Sequence, residues 1–192
     1  YYPKTENQRG GYVDWEMNRD TTQYNLPVLT RLDSSIDEEK LVVALKKVIE
    51  AHPYLKTRLA QVGDDVMQVR RDGAEAVVLL HRLDHEPDEA FFQGLTRPFD
   101  LFSDDLSRFG VYRPPESLWL YVDIHHLVFD GTSSGLFMHD LSLAYEGGEL
   151  KPESFTSYEY ALTEEAMMRN GAYQEAEKHF DKVIGGLEAT LY

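Results

Sequence analysis

Two hydrophobic periods alternate along the chain, which predicts a mixture of strands and helices. Residues 24–32 have the short apolar pattern of a strand. Residues 37–51 carry apolar positions at helical spacing: Leu41, Ala44, Leu45, Val48 and Ile49. Asp33, Ser34 and Ser35 offer side chains that can cap this helix. A helix therefore follows the first strand closely.

The remaining pattern continues the alternation of short elements. It predicts a hairpin around residues 63–65, a strand over 76–82, a short helix over 87–95, paired strands over 107–112 and 118–126, a helix between 131 and 147–148, and a mostly helical region over 153–185 with a break at 170–171. This order favours the α/β class, with a mixed, largely antiparallel sheet flanked by helices. No repeat or linker divides residues 1–192, so we expect a single domain.

Composition excludes several kinds of function. The chain has 34 acidic and 19 basic residues, a net charge of -15, which disfavours binding to nucleic acid or to anionic membranes. No apolar stretch is long enough for a membrane span, and no signal peptide opens the sequence. The absence of cysteine rules out disulfides and thiolate metal sites and fits a cytoplasmic location.

The segment 118–135 carries the candidate chemistry. On a strand, alternate residues share a face. One face would then hold Leu118, Leu120, Val122, Ile124 and His126, and the other Trp119, Tyr121, Asp123 and His125. His126 is therefore predicted at the end of a buried aliphatic row. Burial favours the neutral imidazole, which is the form that a general base requires.

Three other interpretations of this segment remain open. His126 could be a core histidine that bonds a backbone carbonyl, although the Asp130-Gly131 turn beside it favours a site. A metal could be held by His125, His126, Asp130 and His139, but adjacent strand residues point to opposite faces. Residues 131–135 fit the G-x-S-x-G pattern of a serine hydrolase, with Ser133 as nucleophile and His179 downstream. Hairpins in place of parallel βαβ units disfavour the hydrolase, and Thr132 and Ser133 can instead cap a helix.

Residues 125–131, His-His-Leu-Val-Phe-Asp-Gly, match HHxxxDG. This is the signature of the chloramphenicol acetyltransferase-like superfamily, which includes the condensation domains of nonribosomal peptide synthetases. Other stretches resemble the same family in the right order: residues 5–10 with 24–27, then 52–59, 97–101 and 158–161. The resemblance covers residues 1–192 and implies the N-terminal lobe of a two-lobed sandwich, with the C-terminal lobe outside this sequence.

The resemblance also implies an activity and a set of roles. His126 would position or deprotonate the amine of an acceptor aminoacyl group, which attacks a donor acyl thioester and forms an amide. Both substrates would be tethered through phosphopantetheine to peptidyl carrier proteins, and the lobe itself would bind no cofactor and no metal. His125 and Asp130 would be structural, and Gly131 would keep the channel clear.

One position departs from the family pattern. Lys56 stands where the family usually has the arginine that is expected to pair with the motif aspartate, here Asp130. Lysine supplies charge without a bidentate fork, so Arg58 is a second candidate partner of Asp130.

An N-terminal lobe without the C-terminal lobe should expose an apolar face, through which we expect homodimers. The alternatives to amide-bond formation are epimerisation, another acyltransferase reaction of the superfamily, and a non-catalytic role in docking carrier proteins.

Overall fold

The computed structural model describes residues 1–184. Its helices are α1 (Glu6–Met17), α2 (Glu38–Ala51), α3 (Glu89–Gln93), α4 (Gly131–Tyr145), α5 (Ser157–Arg169) and α6 (Ala172–Ile184), with a 3₁₀ turn at Pro53–Lys56. Its strands are β1 (Asn25–Leu32), β2 (Arg58–Val62), β3 (Asp65–Val69), β4 (Leu79–Arg82), β5 (Ser107–Arg113) and β6 (Leu118–His125). The α/β class predicted from the sequence is confirmed.

The main sheet has four strands in the order β1-β6-β5-β4. β6 pairs antiparallel with both β1 and β5, whereas β4 runs parallel to β5. The sheet is therefore mixed and largely antiparallel, as expected. β2 and β3 form the predicted hairpin as a separate sheet, with Gly63 at a φ of 62° in its turn, a conformation that favours glycine.

One face of the main sheet carries the larger hydrophobic core. α2 and α4 pack on this face, and α2 buries the five apolar residues that its periodicity predicted. Their sheet partners include Leu118, Leu120, Val122 and Ile124, the aliphatic row of β6. The N-cap of α2 is Asp37, whose Oδ1 accepts from Glu39 N and Lys40 N at 2.9 Å, rather than a residue at 33–35.

A second, smaller core lies beneath α1. It consists of Trp15, Leu59, Phe99, Leu101, Leu106 and Leu127. The indole Nε1 of Trp15 donates to the carbonyl of Phe99 at 2.9 Å, which attaches α1 to the segment that precedes β5. Both faces of β6 are therefore covered near its end, where the motif begins.

Some boundaries differ from the sequence-based prediction. α1 was not predicted, because Gly10 and Gly11 interrupt its apolar pattern, yet a capping box between Thr5 and Gln8 starts it. β4 is shorter than the predicted strand over 76–82. The region 153–185 forms α5 and α6 with the expected break, and residue 185 lies outside the described residues. No helix within residues 1–184 is both long and apolar enough to cross a bilayer.

Candidate functional site

The site begins where the chain leaves β6. His125 N donates to Leu106 O at 2.9 Å, and His126 N donates to Tyr24 O at 2.8 Å. Val128 N then donates to His125 O at 3.1 Å, so the backbone turns between residues 125 and 128. This turn ends the strand alternation one residue earlier than the sequence predicted.

His126 is exposed, which corrects the prediction that it ends a buried aliphatic row. The row ends at Ile124, because β6 stops at His125 and the turn directs the next side chain out of the core. An exposed imidazole is available to a substrate without local unfolding.

His125 is the buried histidine of the pair, with 2% of its surface exposed. Burial, followed by the nearby His126 and Arg108, lowers its pKa to about 4, so the ring is neutral at physiological pH. Its Nδ1 accepts from Leu127 N at 3.1 Å, which places the ring proton on Nε2. The ring contacts Phe99 and Tyr24, at centroid distances of 5.7 and 5.8 Å. His125 thus holds the turn that presents His126.

A cavity of about 350 Å³ opens beside His126. It is lined by Asn7, Gln8, Gly11, Tyr24, His125, His126 and Leu127. The amide nitrogen of Gln8 donates to Leu127 O and to Gln68 Oε1, both at 3.0 Å, so α1 is fixed against the turn. The cavity can accept a small group next to the exposed imidazole.

A larger groove, of about 930 Å³, lies between α2 and residues 147–152. Its lining contains no histidine, and Lys46 within it is paired with Glu75 at 3.3 Å. The chemistry that the sequence predicted lies in the smaller cavity instead.

Asp130 is the N-cap of α4. Its Oδ1 accepts from the backbone N and the hydroxyl of Ser133, both at 2.8 Å. These two hydrogen bonds are the main reason why its pKa lies below the ordinary range. Gly131 is the first residue of α4, and a side chain added there would meet nothing within 4 Å. The motif residues 130 and 131 therefore form the start of a helix directly after the histidine turn.

The expected ion pair of Asp130 with Lys56 or Arg58 is not formed. Lys56 is 2% exposed and donates to Glu50 Oε2 at 2.7 Å and to Ala74 O at 3.0 Å. Arg58 pairs through Nε with Asp105 at 2.7 Å. Both cations are engaged by other carboxylates, and the backbone and hydroxyl of Ser133 satisfy Asp130. A lysine at position 56 is thus accounted for by a different partner.

The condensation-domain family model matches residues 1–192. The chain belongs to the condensation-domain family. Among curated relatives, tyrocidine synthase 2 of Brevibacillus parabrevis is 29% identical over 96% of this chain. Surfactin synthase subunit 1 of Bacillus subtilis (strain 168) is 26% identical, also over 96%. The chain spans 5% of the length of each of these relatives.

Solved structures, condensation domains among them, share its fold. The starter condensation domain of rhizomide synthetase superposes with a TM-score of 0.80 at 20% identity, covering 98% of this chain and 48% of that one. The X-domain from teicoplanin biosynthesis gives 0.76 at 24% identity, covering 89% of this chain and 39% of that one. These similarities establish the chloramphenicol acetyltransferase-like fold that the sequence predicted.

The other candidate residues of this condensation domain are not arranged as a serine hydrolase or a metal site would require. The Ser133 hydroxyl donates to Asp130, which assigns it to helix capping, and His179 lies exposed in α6. His139 is exposed on α4 beside Asp140. Within residues 1–184, no group of three or more histidine, aspartate or glutamate side chains is placed to hold a metal ion.

Sequence reasoning missed the α1 wall of the cavity. Asn7, Gln8 and Gly11 line it together with Tyr24. Residues 5–10 and 24–27 were recognised as family-like stretches, yet no function followed from them. The capping box between Thr5 and Gln8 was the signal that could have placed a helix there.

Proposed function

We propose that this chain contributes His126 to amide-bond formation between two substrates tethered to carrier proteins. The observation that carries the proposal is the exposed imidazole of His126 at the end of β6, beside a cavity. Membership of the condensation-domain family over residues 1–192 supplies the class of reaction.

The reaction needs one proton acceptor next to the nucleophile. An imidazole nitrogen of His126 positions the acceptor amine and takes its proton as the amine attacks the donor thioester carbonyl. The new C–N bond forms, the C–S bond breaks, and the proton passes to the departing thiolate. An exposed histidine suits this role because it meets both substrates without a rearrangement of the core.

The neighbouring residues preserve the geometry of His126. Neutral His125 fixes the turn through Leu127 N, and Asp130 starts α4 on the far side of the turn. The position of the imidazole is thus set from both ends of the loop. Such preorganisation is worth a large part of catalysis, because small displacements of reacting groups are costly.

We further propose that residues 1–192 form the N-terminal lobe of a two-lobed condensation domain. The chain spans about half of the solved condensation-domain structures, which supports this proposal. The partners would be peptidyl carrier proteins, whose phosphopantetheine arms bring the substrates, and the second lobe. Without that lobe, exposed apolar side chains on α5 and α6 would favour homodimers.

The test uses the complete protein that contains this chain, with donor and acceptor carrier proteins loaded in advance. Wild type, His126→Ala and the control His85→Ala are compared by mass spectrometry of the carrier-bound products. His85 is an exposed histidine between β4 and α3, so its removal should leave the product unchanged. The expected result is a carrier-bound amide with wild type and His85→Ala, and little or none with His126→Ala in the same reaction time.

Other products would overturn the proposal in distinct ways. A substrate with an inverted stereocentre and no new amide would identify an epimerase. Loaded carriers that bind without change would identify a docking module. An amide formed equally well by His126→Ala would remove the histidine from the mechanism.

A further inference from the structure

Arg108, in β5, fixes the segment 97–104 to the main sheet. Its Nη1 donates to Arg97 O at 2.6 Å, and its Nη2 donates to Pro98 O at 2.8 Å. Nη2 also reaches Asp104 Oδ2 at 2.9 Å. The side chain is only 15% exposed. Because the guanidinium is planar with donors in a fixed fork, these acceptors have one relative arrangement.

Asp123 holds this arginine against the main sheet. Asp123 lies in β6, is fully buried, and approaches Arg108 Nη1 at 3.3 Å. The amide nitrogen of Asn25, in β1, donates to Asp123 Oδ2 at 2.8 Å and to Arg97 O at 3.0 Å. Side chains from three adjacent strands therefore converge on the start of the segment 97–104.

The same arginine contacts the support of the histidine turn. Its guanidinium lies 3.6 Å from the centroid of the Phe99 ring. The Phe99 ring meets His125 edge to face, with centroids 5.7 Å apart. His125 in turn accepts the backbone N–H of Leu127, next to His126. A continuous set of contacts runs from Arg108 through Phe99 and His125 to the turn.

We propose that Arg108 is a positioning residue for His126, acting through Phe99 and His125. It holds the segment 97–104 so that the Phe99 ring supports His125, which then holds the turn that presents the His126 imidazole. The effect on His125 follows from geometry alone, whereas the effect on the reaction rate rests on the proposed function. Residues 97–101, which resemble the family in sequence, would then serve to support His125.

Arg113 offers a matched control on the same strand. It is 19% exposed and donates to Ile36 O at 2.6 Å and to Glu38 at 2.8 Å. It resembles Arg108 in burial and in the kinds of acceptor that it binds, but these acceptors surround the start of α2. Arg113→Met should therefore cost similar stability without altering the surroundings of His125.

The experiment follows the His125 ring by NMR titration in the 192-residue chain, with thermal melting to confirm folding. In Arg108→Met the titration midpoint of His125 should move upward, since a nearby cation is lost and the ring becomes more accessible to water. Arg108→Lys, which keeps a cation over Phe99, should restore most of the wild-type midpoint, and Arg113→Met should not change it. In the complete protein, Arg108→Met should lower kcat for amide formation about 10- to 100-fold with KM nearly unchanged.

Several results would decide against the inference. If Arg108→Met and Arg113→Met gave the same His125 titration and the same kcat after similar losses in melting temperature, Arg108 would have only a structural role. Should Arg108→Met fail to fold, Phe99→Leu removes the aromatic ring that lies between Arg108 and His125. This variant must then shift the titration midpoint of His125 upward. If wild type formed no amide while the His125 midpoint moved as expected, the proposed function would fail and the positioning of His125 would stand.

Discussion

Two adjacent histidines occupy opposite environments in this protein. His125 is buried between aromatic rings and is neutral, with a pKa of about 4, while His126 is exposed beside a cavity. A buried neutral ring can hold a backbone turn, and an exposed ring can meet a substrate. The division of roles that the motif implies therefore has a physical basis in burial.

The depressed pKa of His125 makes stability depend on pH. The unfolded chain binds a proton at this ring below about pH 6.5, whereas the folded chain does so only near pH 4. Stability is therefore lost as pH falls through this window. Wild type should lose about 2 kcal/mol through this ring between about pH 7 and pH 5, measured by urea unfolding.

The control for this effect is a pair of asparagine variants. His125→Asn keeps an acceptor for Leu127 N and removes the titrating ring. Between about pH 7 and pH 5, its free energy of unfolding should therefore fall by about 2 kcal/mol less than that of wild type. His85→Asn should keep the wild-type dependence, because His85 is exposed in a loop. Equal pH dependence in wild type and His125→Asn would contradict the assignment.

Asp130 and Lys56 should act independently. Asp130→Ala removes the α4 cap and should cost about 1 kcal/mol, while Asp130→Asn should cost little, since asparagine caps equally well. Lys56→Met leaves the carbonyl of Ala74 without its donor and should cost about 1 to 3 kcal/mol. Urea unfolding of Asp130→Ala, Lys56→Met and the double variant should give additive losses within about 0.5 kcal/mol. A larger coupling energy between the two variants would indicate that Asp130 and Lys56 interact, as the sequence suggested.

α1 lines the cavity with Asn7, Gln8 and one of its two adjacent glycines. Gly11 lines the cavity, and a side chain there would meet Leu127 at 3.5 Å, whereas Gly10 has nothing within 4 Å. Both lie inside the helix, where glycine is less favourable than alanine. Substitutions at these two positions therefore separate an effect on helix stability from an effect on access to His126.

This difference gives a paired prediction. Gly10→Ala and Gly11→Ala should each raise stability by about 0.5 to 1 kcal/mol. Gly11→Leu should lower kcat/KM for amide formation about tenfold or more, the equivalent of about 1.4 kcal/mol, because it fills the cavity. Gly10→Leu should leave kcat/KM at the wild-type value. Steady-state kinetics in which both leucine variants behave alike would remove α1 from the substrate path.

Elements with a clear period could be predicted from the sequence, and the end of β6 could not. α2 buries the apolar residues that its spacing indicated, and the β2–β3 hairpin forms at its glycine turn. Alternation placed His126 inside the core, because a period of two cannot show where a strand stops. The strand stops where Val128 N donates to His125 O, and residues 126–128 contain no glycine or proline that would mark a turn in the sequence. No local pattern identifies Glu50 and Ala74 as the partners of Lys56. The hydrogen bonds that Asp130 accepts from Ser133 are, by contrast, a local N-cap, and only the resemblance led to the expectation of an ion pair there.

The last two described helices, α5 and α6, leave apolar side chains exposed. No residue of α6 is buried. The exposed apolar residues of α5 and α6 are Tyr160, Leu162, Met167, Tyr173, Phe180, Val183 and Ile184. Such a surface favours association with another protein surface. Under the two-lobe proposal, the second lobe would lie against this surface in the complete protein, and a second copy would do so in this chain alone.

Sedimentation velocity tests this expectation. The 192-residue chain should sediment as a species heavier than its 22.1 kDa monomer as concentration rises. Phe180→Glu should shift the equilibrium toward monomer, because it places a charge on the exposed face of α6. Val77→Glu, at a similarly exposed apolar residue elsewhere, should not. A strict monomer at every concentration would show that this face does not self-associate.

The single-turnover rate of amide formation, in the complete protein with preloaded carriers, tests the proposed role of His126. Wild type and His126→Ala are compared, with His85→Ala as the control. We expect His126→Ala to lower the rate about 100- to 10,000-fold, the range typical of a lost general base, and His85→Ala to leave it unchanged. A His126→Ala rate equal to that of wild type would mean that the exposed histidine at the end of β6 takes no part in the reaction.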